Sequence, residues 1–319
     1  MFIDANESPF NEPYNRYPDP LQQQLKARLS EVKGIPAEQI FLGVGSDECI
    51  DLIYRIFCEP ACDNVVAISP SYGMYEVCAD INNVEYRTVA LNENFELATD
   101  RLLAACDRYT KVVWLCSPNN PTGNAFSTES LADVCRRFPG IVAIDEAYVN
   151  FSEQGSMLPR LAYLPNLIVM QTFSKAMASA SVRLGMAFAS KEIIALFNKV
   201  KYPYNINLLT QQYALYLLGR IGEITDEVAQ IIACRHVLAD ELKQLRCVQR
   251  VYRSDANFLL VRVGDADRLY DYLLARGIVV RNRNRVPGCS GCLRLTVGTP
   301  EENELLIKAL KEYDNDSMQ

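Results

Sequence analysis

The sequence predicts an α/β protein: a large domain with a mostly parallel seven-stranded sheet sandwiched by helices, plus a smaller α+β domain. Three observations predict this. Short β-branched and apolar runs at 39–44, 64–69, 84–91, 111–116, 140–144, 166–172 and 184–189 alternate with helical stretches. Several of these runs are apolar on both faces, as strands covered by helices on each side must be. Beyond Pro203 the alternation gives way to a long helical region and then a second, shorter set of strands.

Each element has a local reason. From 20 to 33, Leu21, Leu25, Leu29 and Val32 recur at helical spacing and stop at Gly34, a C-cap residue. The run at 39–44 leads into Gly43-Val44-Gly45-Ser46-Asp47-Glu48 and a helix at 49–58. Pro70-Ser71-Tyr72 follows the second strand and starts another helix. From 211 to 245 apolar residues fall at i, i+3 and i+4, which predicts continuous helix. Strands are then expected at 257–263, 278–281 and 292–297, interleaved with helices at 266–276 and 300–313. The expected domains are a cofactor-binding unit at 29–205 and a small closing unit at 206–319, preceded by an arm at 1–28. No repeat or low-complexity linker separates them, so the two units should pack together.

With 319 residues, 49% of them hydrophobic, the chain can bury a large core. Its net charge of -7 argues against nucleic acid as a partner, since the cationic run Arg281-Asn282-Arg283-Asn284-Arg285 is its only one clear of acidic neighbours. The first seven residues have neither a basic leader nor an apolar core, and no apolar run approaches the ~20 residues of a membrane span, so a cytoplasmic protein is expected. Eleven cysteines, spread through apolar segments, suit reduced core thiols. Cys289 and Cys292 form the one C-x-x-C, but without a second pair or a nearby histidine no metal is expected. His236 is the only histidine, which excludes Ser-His-Asp and Cys-His chemistry.

Three segments at strand ends carry the chemistry. They are 117–123 (Ser-Pro-Asn-Asn-Pro-Thr-Gly), 144–148 (Ile-Asp-Glu-Ala-Tyr) and 172–175 (Thr-Phe-Ser-Lys), with Arg183 eight residues after Lys175. In open α/β sheets, ligands bind at the carboxyl edge of the strands, which is where Asp145 would emerge. Strand alternation sends Asp145 and Glu146 to opposite faces, so only one can serve a given pocket. Tyr148 reaches the same pocket only if the strand has ended. A free lysine with pKa ~10.4 is protonated at neutral pH, so a nucleophilic Lys175 needs desolvation and nearby positive charge, which Arg183 and a helix start can supply. Glycine turns before a helix at 45–48 suit an anion seat, although Ser46 reads equally well as an ordinary N-cap. Tyr72 can lay its ring on a flat cofactor or simply join the core.

Together these segments resemble the fold-type I pyridoxal-phosphate aminotransferases. Within them, 4–9 (Asp-Ala-Asn-Glu-Ser-Pro), 15–19 (Asn-Arg-Tyr-Pro-Asp), 71–75 (Ser-Tyr-Gly-Met-Tyr) and 292–299 (Cys-Leu-Arg-Leu-Thr-Val-Gly-Thr) are similar to the histidinol-phosphate aminotransferase family. The resemblance implies pyridoxal 5'-phosphate attached to Lys175, with Asp145 on the ring nitrogen and Asn120 and Tyr148 on the ring oxygen. Tyr72 would stack on the ring. It also implies a phosphate held by the amides of Ser46 and Asp47, by Ser174 and by Arg183, with Tyr17 reaching across from a second subunit of a homodimer. Arg294 would take the substrate's anionic group, helped by Arg281, with Asn120 and Tyr17 beside them. The implied reaction is amino transfer between L-histidinol phosphate and 2-oxoglutarate, in histidine biosynthesis. Alternatives on the same fold are an aromatic amino-acid aminotransferase and L-threonine-O-3-phosphate decarboxylase; outside enzymes, a cofactor-sensing regulatory domain. Met177 to Ser181 departs from the family's usual run but keeps the lysine-to-arginine spacing.

Overall fold

The computed structural model describes residues 3–316; positions 1 and 2 of the expected arm and 317–319 lie outside the described residues. In chain order the elements are α1 (Gln23–Lys33), β1 (Ile40–Val44), α2 (Gly45–Phe57), β2 (Asn64–Ser69), α3 (Met74–Ile81), β3 (Glu85–Ala90) and α4 (Thr99–Ala104). There follow β4 (Thr110–Cys116), α5 (Thr128–Arg137), β5 (Ile141–Asp145), β6 (Leu167–Thr172), β7 (Leu184–Phe188), α6 (Lys191–Val200) and α7 (Leu208–Gly219). The chain closes with α8 (Ile221–Leu242), β8 (Val248–Val251), β9 (Phe258–Val263), α9 (Ala266–Ala275), β10 (Arg281–Asn282), β11 (Cys292–Thr296) and α10 (Pro300–Asp316).

All seven expected strands form one sheet, in the order β1-β7-β6-β5-β4-β2-β3. Only β7 runs against its neighbours; the remaining pairs are parallel. Alternate residues feed two separate cores, as the period of two requires. Val66, Ile68, Val113, Leu115, Val142, Ile144 and Val169 pack on one face with Leu25 and Leu29 of α1 and with Leu131 and Val134 of α5. Val65, Ala67, Val112, Trp114, Ala143, Ile168 and Met170 pack on the other with Ile50 and Ile53 of α2, Tyr75 of α3 and Phe197 of α6. Burial on both faces explains why these strands read as unbroken apolar runs.

A second sheet, β10-β11-β9-β8, is antiparallel throughout. Its buried face meets α8, α9 and α10 through Leu238, Leu242, Leu269, Leu273, Leu306 and Leu310. Arg235 of α8 ties it to the turn that follows β5, donating to the carbonyls of Phe151 at 3.0 Å and Ala256 at 2.8 Å.

Local signals decided most boundaries. Gly34 ends α1 with φ 67°, its N–H on the Ser30 carbonyl, while Ser127, Ser190, Asn207 and Asp265 cap α5, α6, α7 and α9. Four expectations need correction. The continuous helix over 211–245 is two helices that turn at Arg220, flanked by Gly219 and Gly222, whose missing side chains weaken helix there. The strand placed at 278–281 is only Arg281–Asn282, because the Ile278 N–H closes α9 on the Leu273 carbonyl and Val280 drops into the core. β8 was not anticipated; its half-buried burial pattern marks an edge strand with little apolar signal. The helix placed at 49–58 starts at Gly45, so Ser46 lies inside its first turn and is not the N-cap.

Candidate active site

A cavity of about 560 Å³ opens at the carboxyl edge of the parallel strands, and the four-stranded sheet covers it with Arg281, Arg283 and Arg294. The large sheet supplies the rest of the lining from its strand ends and the turns beyond them. Ser46, Asp47, Tyr72, Asn120, Asp145, Tyr148, Ser174, Lys175 and Arg183, all expected from the sequence, border this one space.

Asp145 is the last residue of β5 and is 3% exposed. One carboxylate oxygen accepts the Tyr75 hydroxyl at 2.8 Å and the other the Ala147 N–H at 3.0 Å. Burial pushes its carboxyl above the ordinary carboxylate value, while the Tyr75 hydroxyl and the Ala147 amide oppose that shift. Glu146 turns to the other face of the sheet, as the alternation required. There it accepts from Ser156, the Met157 N–H and Gln171. Because β5 ends at Asp145, Tyr148 bends back to the cavity, its ring edge-on to Phe258 at 5.1 Å.

The Lys175 ammonium nitrogen lies 5.5 Å from the centre of the Tyr148 ring. Burial lowers its pKa below the usual lysine value, and the Arg294 charge lowers it further against the pull of Asp145. Both conditions for a nucleophilic amine are therefore met. Ser174 is fixed by Thr172, whose hydroxyl donates to the Ser174 hydroxyl at 3.0 Å and accepts the Ser174 N–H at 3.1 Å.

The anion seat is built by two distant segments. Gly45 opens α2 with φ 71°, and a Cβ there would come within 2.6 Å of the Arg183 guanidinium. Gly185 is constrained in the same way, since a Cβ would run into the Gly45 backbone. Arg183 pairs with the Asp47 carboxylate at 3.2 Å, and the Tyr72 hydroxyl donates to the same carboxylate at 3.1 Å. The first-turn amides of Ser46 and Asp47 have no intrahelical partner and sit at the positive end of a 13-residue helix. Asn120 is oriented by Arg294, which donates to its side-chain oxygen at 2.5 Å. A guanidinium only donates, so the Asn120 amide NH₂ is left for another acceptor.

This donor set fits pyridoxal phosphate. An amine of lowered pKa, a buried carboxylate with acceptor capacity left, two donors for a ring oxygen and a helix start beside an arginine all border one space. Tyr17 is the exception. It does not line the cavity of its own chain but stacks on Tyr204 at 4.5 Å and is 58% exposed.

Three lining or supporting residues escaped the sequence reading. Tyr75 lay in a quoted motif without a role, Thr172 sat beside the Ser-Lys pair, and Arg283 is two residues from Arg281 and so shares its strand face. Among the described residues, no group of three or more His, Cys, Asp or Glu is placed to hold a metal ion, and no helix is long and apolar enough to cross a membrane.

The family model for aminotransferase class I and II matches residues 5–310. A histidinol-phosphate aminotransferase from Bacteroides thetaiotaomicron is 54% identical over 313 residues, covering 98% of this chain and 90% of its own. The crystal structure of the histidinol-phosphate aminotransferase from Clostridium acetobutylicum superposes with a TM-score of 0.88 at 25% identity, over 95% of this chain and 92% of its own. A histidinol-phosphate aminotransferase from Sinorhizobium meliloti, solved in complex with pyridoxal-5'-phosphate, shares the fold with a TM-score of 0.85 at 24% identity, over 98% and 90% of the two chains. With the motifs on one cavity and the match running nearly end to end, the chain belongs to the class I and II aminotransferases, grouping there with the pyridoxal-phosphate-dependent histidinol-phosphate enzymes.

Proposed function

We propose that the chain moves an amino group from L-histidinol phosphate to 2-oxoglutarate, giving imidazole acetol phosphate and L-glutamate, in the cytoplasm. The observation that carries this reading is the meeting of the Lys175 amine and the Asp145 carboxylate in a cavity whose opposite wall is cationic. Pyridoxal phosphate, when bound, supplies an electron sink that stabilises negative charge at the substrate Cα.

The residues divide the remaining work. Lys175 Nζ anchors the cofactor and, once free, takes the proton from the substrate Cα; burial and the Arg294 charge keep its neutral form within reach. Asp145 keeps a proton on the ring nitrogen, and Asn120 and Tyr148 donate to the ring oxygen. Tyr72 covers the ring, while the amides of Ser46 and Asp47, the Ser174 hydroxyl and Arg183 hold the cofactor phosphate. Arg294 and Arg281 take the anionic group of each substrate in turn, a task suited to a planar, bidentate donor.

Residues 29–205 are read as the cofactor-binding domain and 206–319, with the arm at 1–28, as the unit that closes on the substrate. A homodimer accounts for the exposed aromatic pairs Tyr17–Tyr204 and Tyr213–Tyr216, whose rings lie 4.5 and 5.8 Å apart. Isolated apolar side chains are ordinary on a surface, but paired exposed rings favour a second copy. It also gives Tyr17 a route into a neighbouring cavity.

The test is amino-group exchange with 2-oxoglutarate, using histidinol phosphate, phenylalanine and threonine phosphate in parallel. Glutamate should form fastest with histidinol phosphate, and Lys175→Ala should lose both turnover and the visible absorbance of bound cofactor. Carbon dioxide release from threonine phosphate, or equal rates with phenylalanine, would overturn the assignment.

A further inference from the structure

The run Arg281-Asn282-Arg283-Asn284-Arg285 is the strongest cationic feature of the sequence, and the proposed reaction uses only its first arginine. The structure sorts the run by parity. Asn282 and Asn284 both donate to Asp267, at 2.6 and 2.9 Å, away from the cavity. Arg281 and Arg283 face the cavity. The Arg283 N–H on the Cys292 carbonyl, at 2.9 Å, and the Gly291 N–H on the Asn284 side chain, at 2.8 Å, fix this register. Arg281 and Arg294 are direct cross-strand partners, so three guanidinium groups crowd one wall.

Like charges opposed across a ladder are unfavourable, and a protein usually balances them with a carboxylate. Here, among the described residues, none of the three arginines has a carboxylate within 4.0 Å. The Nε atoms of Arg283 and Arg294 are buried without a hydrogen-bond partner. Burial, and for each the charge of a neighbouring arginine, push both guanidinium pKa values down. Among the described residues, the Arg294–Asn120 bond is the one side-chain hydrogen bond on the group, and the Phe258 ring lies 5.1 Å from the Arg294 guanidinium; neither neutralises the charge.

We propose that Arg283 is a specificity-determining residue, which sets the preference of this wall for a phosphate dianion over a carboxylate. The inference rests on the proposed histidinol phosphate reading and deepens it. Two arginines are enough to fork onto a carboxylate, which carries one charge. A phosphate monoester carries about -1.5 to -2 at pH 7 and offers three acceptor oxygens. The Coulomb attraction to a third guanidinium scales with that charge, so Arg283 adds more to the dianion than to the monoanion. It also gives the third oxygen a donor, which a carboxylate cannot use.

The test compares the intact holoenzyme with Arg283→Gln and Arg283→Lys. Binding of histidinol phosphate, histidinol and glutamate is read from the change in cofactor absorbance without a second substrate. Arg283→Gln should weaken histidinol phosphate by about 10- to 100-fold, the loss of one charge-assisted interaction, and glutamate and histidinol by much less. Arg283→Lys should restore part of the difference. The apparent KM of wild type for histidinol phosphate should rise as pH falls through the second phosphate pKa near ~6, and Arg283→Gln should flatten that rise. Equal weakening of all three ligands, or no change, would overturn the assignment to Arg283 while leaving the reaction intact. A wild-type enzyme that binds histidinol no more weakly than histidinol phosphate would instead remove the phosphate reading itself, and this inference with it.

Discussion

Asp145 and Glu146 are neighbours at the end of one strand, buried almost equally at 3% and 2% exposure, yet they face two different chemical worlds. On the Glu146 side three donors occupy the carboxylate: one oxygen takes the Met157 N–H at 2.6 Å, and the other takes the Ser156 hydroxyl at 2.5 Å and the Gln171 amide at 2.9 Å. Gln171 in turn accepts from Lys33 at 2.7 Å, so a complete polar chain crosses the interface between α1 and the sheet. On the Asp145 side each oxygen has a single donor, and the group borders the cavity. Burial raises the pKa of both carboxyls and so does not separate a structural carboxylate from a functional one. Unspent acceptor capacity beside open space does.

The sharpest way to break that contrast is Asp145→Asn. The asparagine oxygen still accepts the Ala147 N–H, and its NH₂ can meet the Tyr75 hydroxyl as an acceptor, so the fold loses a costly buried charge and no essential contact. Turnover should fall by about 10²- to 10⁴-fold, the scale of a lost acid–base group, with a thermal midpoint at or above the wild-type value and cofactor still bound. A variant within tenfold of wild type, or one that unfolds, would place Asp145 in the same class as Glu146.

Glu146→Gln should behave in the opposite way. The Met157 N–H must keep the new oxygen, because an amide hydrogen cannot accept. The new NH₂ then faces the Gln171 amide, which cannot rotate without turning its own NH₂ toward Lys33. One buried donor is left unmatched, at a cost of about 1–3 kcal/mol. Denaturant titration should read that loss, while turnover per folded molecule stays at the wild-type value. A large drop in turnover at unchanged stability would connect the two faces.

The sequence revealed the Asp145 side far better than the Glu146 side, for a physical reason. Asp145, Tyr148, Asn120 and Lys175 sit on short motifs at strand ends, and six of the seven strands were legible because both of their faces are buried and apolar, β3 at the sheet edge being the exception. Alternation alone also separated the two carboxylates. What stayed hidden were pairings across long stretches of chain: Tyr75 on Asp145, 70 residues away, and Lys33 on Gln171, 138 residues away. No local pattern encodes such a contact, because it depends on which helix lands on which strand. Arg283 is a different case. Its face follows from that of Arg281 by the same two-residue period, so the signal was present in the cationic run and only its meaning was missing.

Lys33→Met gives the smallest expected effect and tests the far end of the Glu146 chain. Methionine removes the donor to the Gln171 oxygen but also frees the fold from partly burying a cation, and the two changes oppose each other, leaving about 1 kcal/mol or less at neutral pH. The pH dependence is more telling than the magnitude. Burial lowers the Lys33 pKa below 10.5, against the pull of the Glu146 charge, so in the window just below 10.5 the unfolded lysine holds a proton that the folded one has shed. Stability rises with pH wherever the unfolded state binds more protons. Wild type should therefore gain on Lys33→Met as pH climbs toward 10.5, and the gap should be constant below the folded-state pKa of Lys33. Denaturation curves for both proteins, taken from neutral pH upward, measure it. A wild type that loses ground to Lys33→Met as pH rises would mean that the folded state favours the charged ammonium, and that Glu146 reaches through Gln171 strongly enough to outweigh burial.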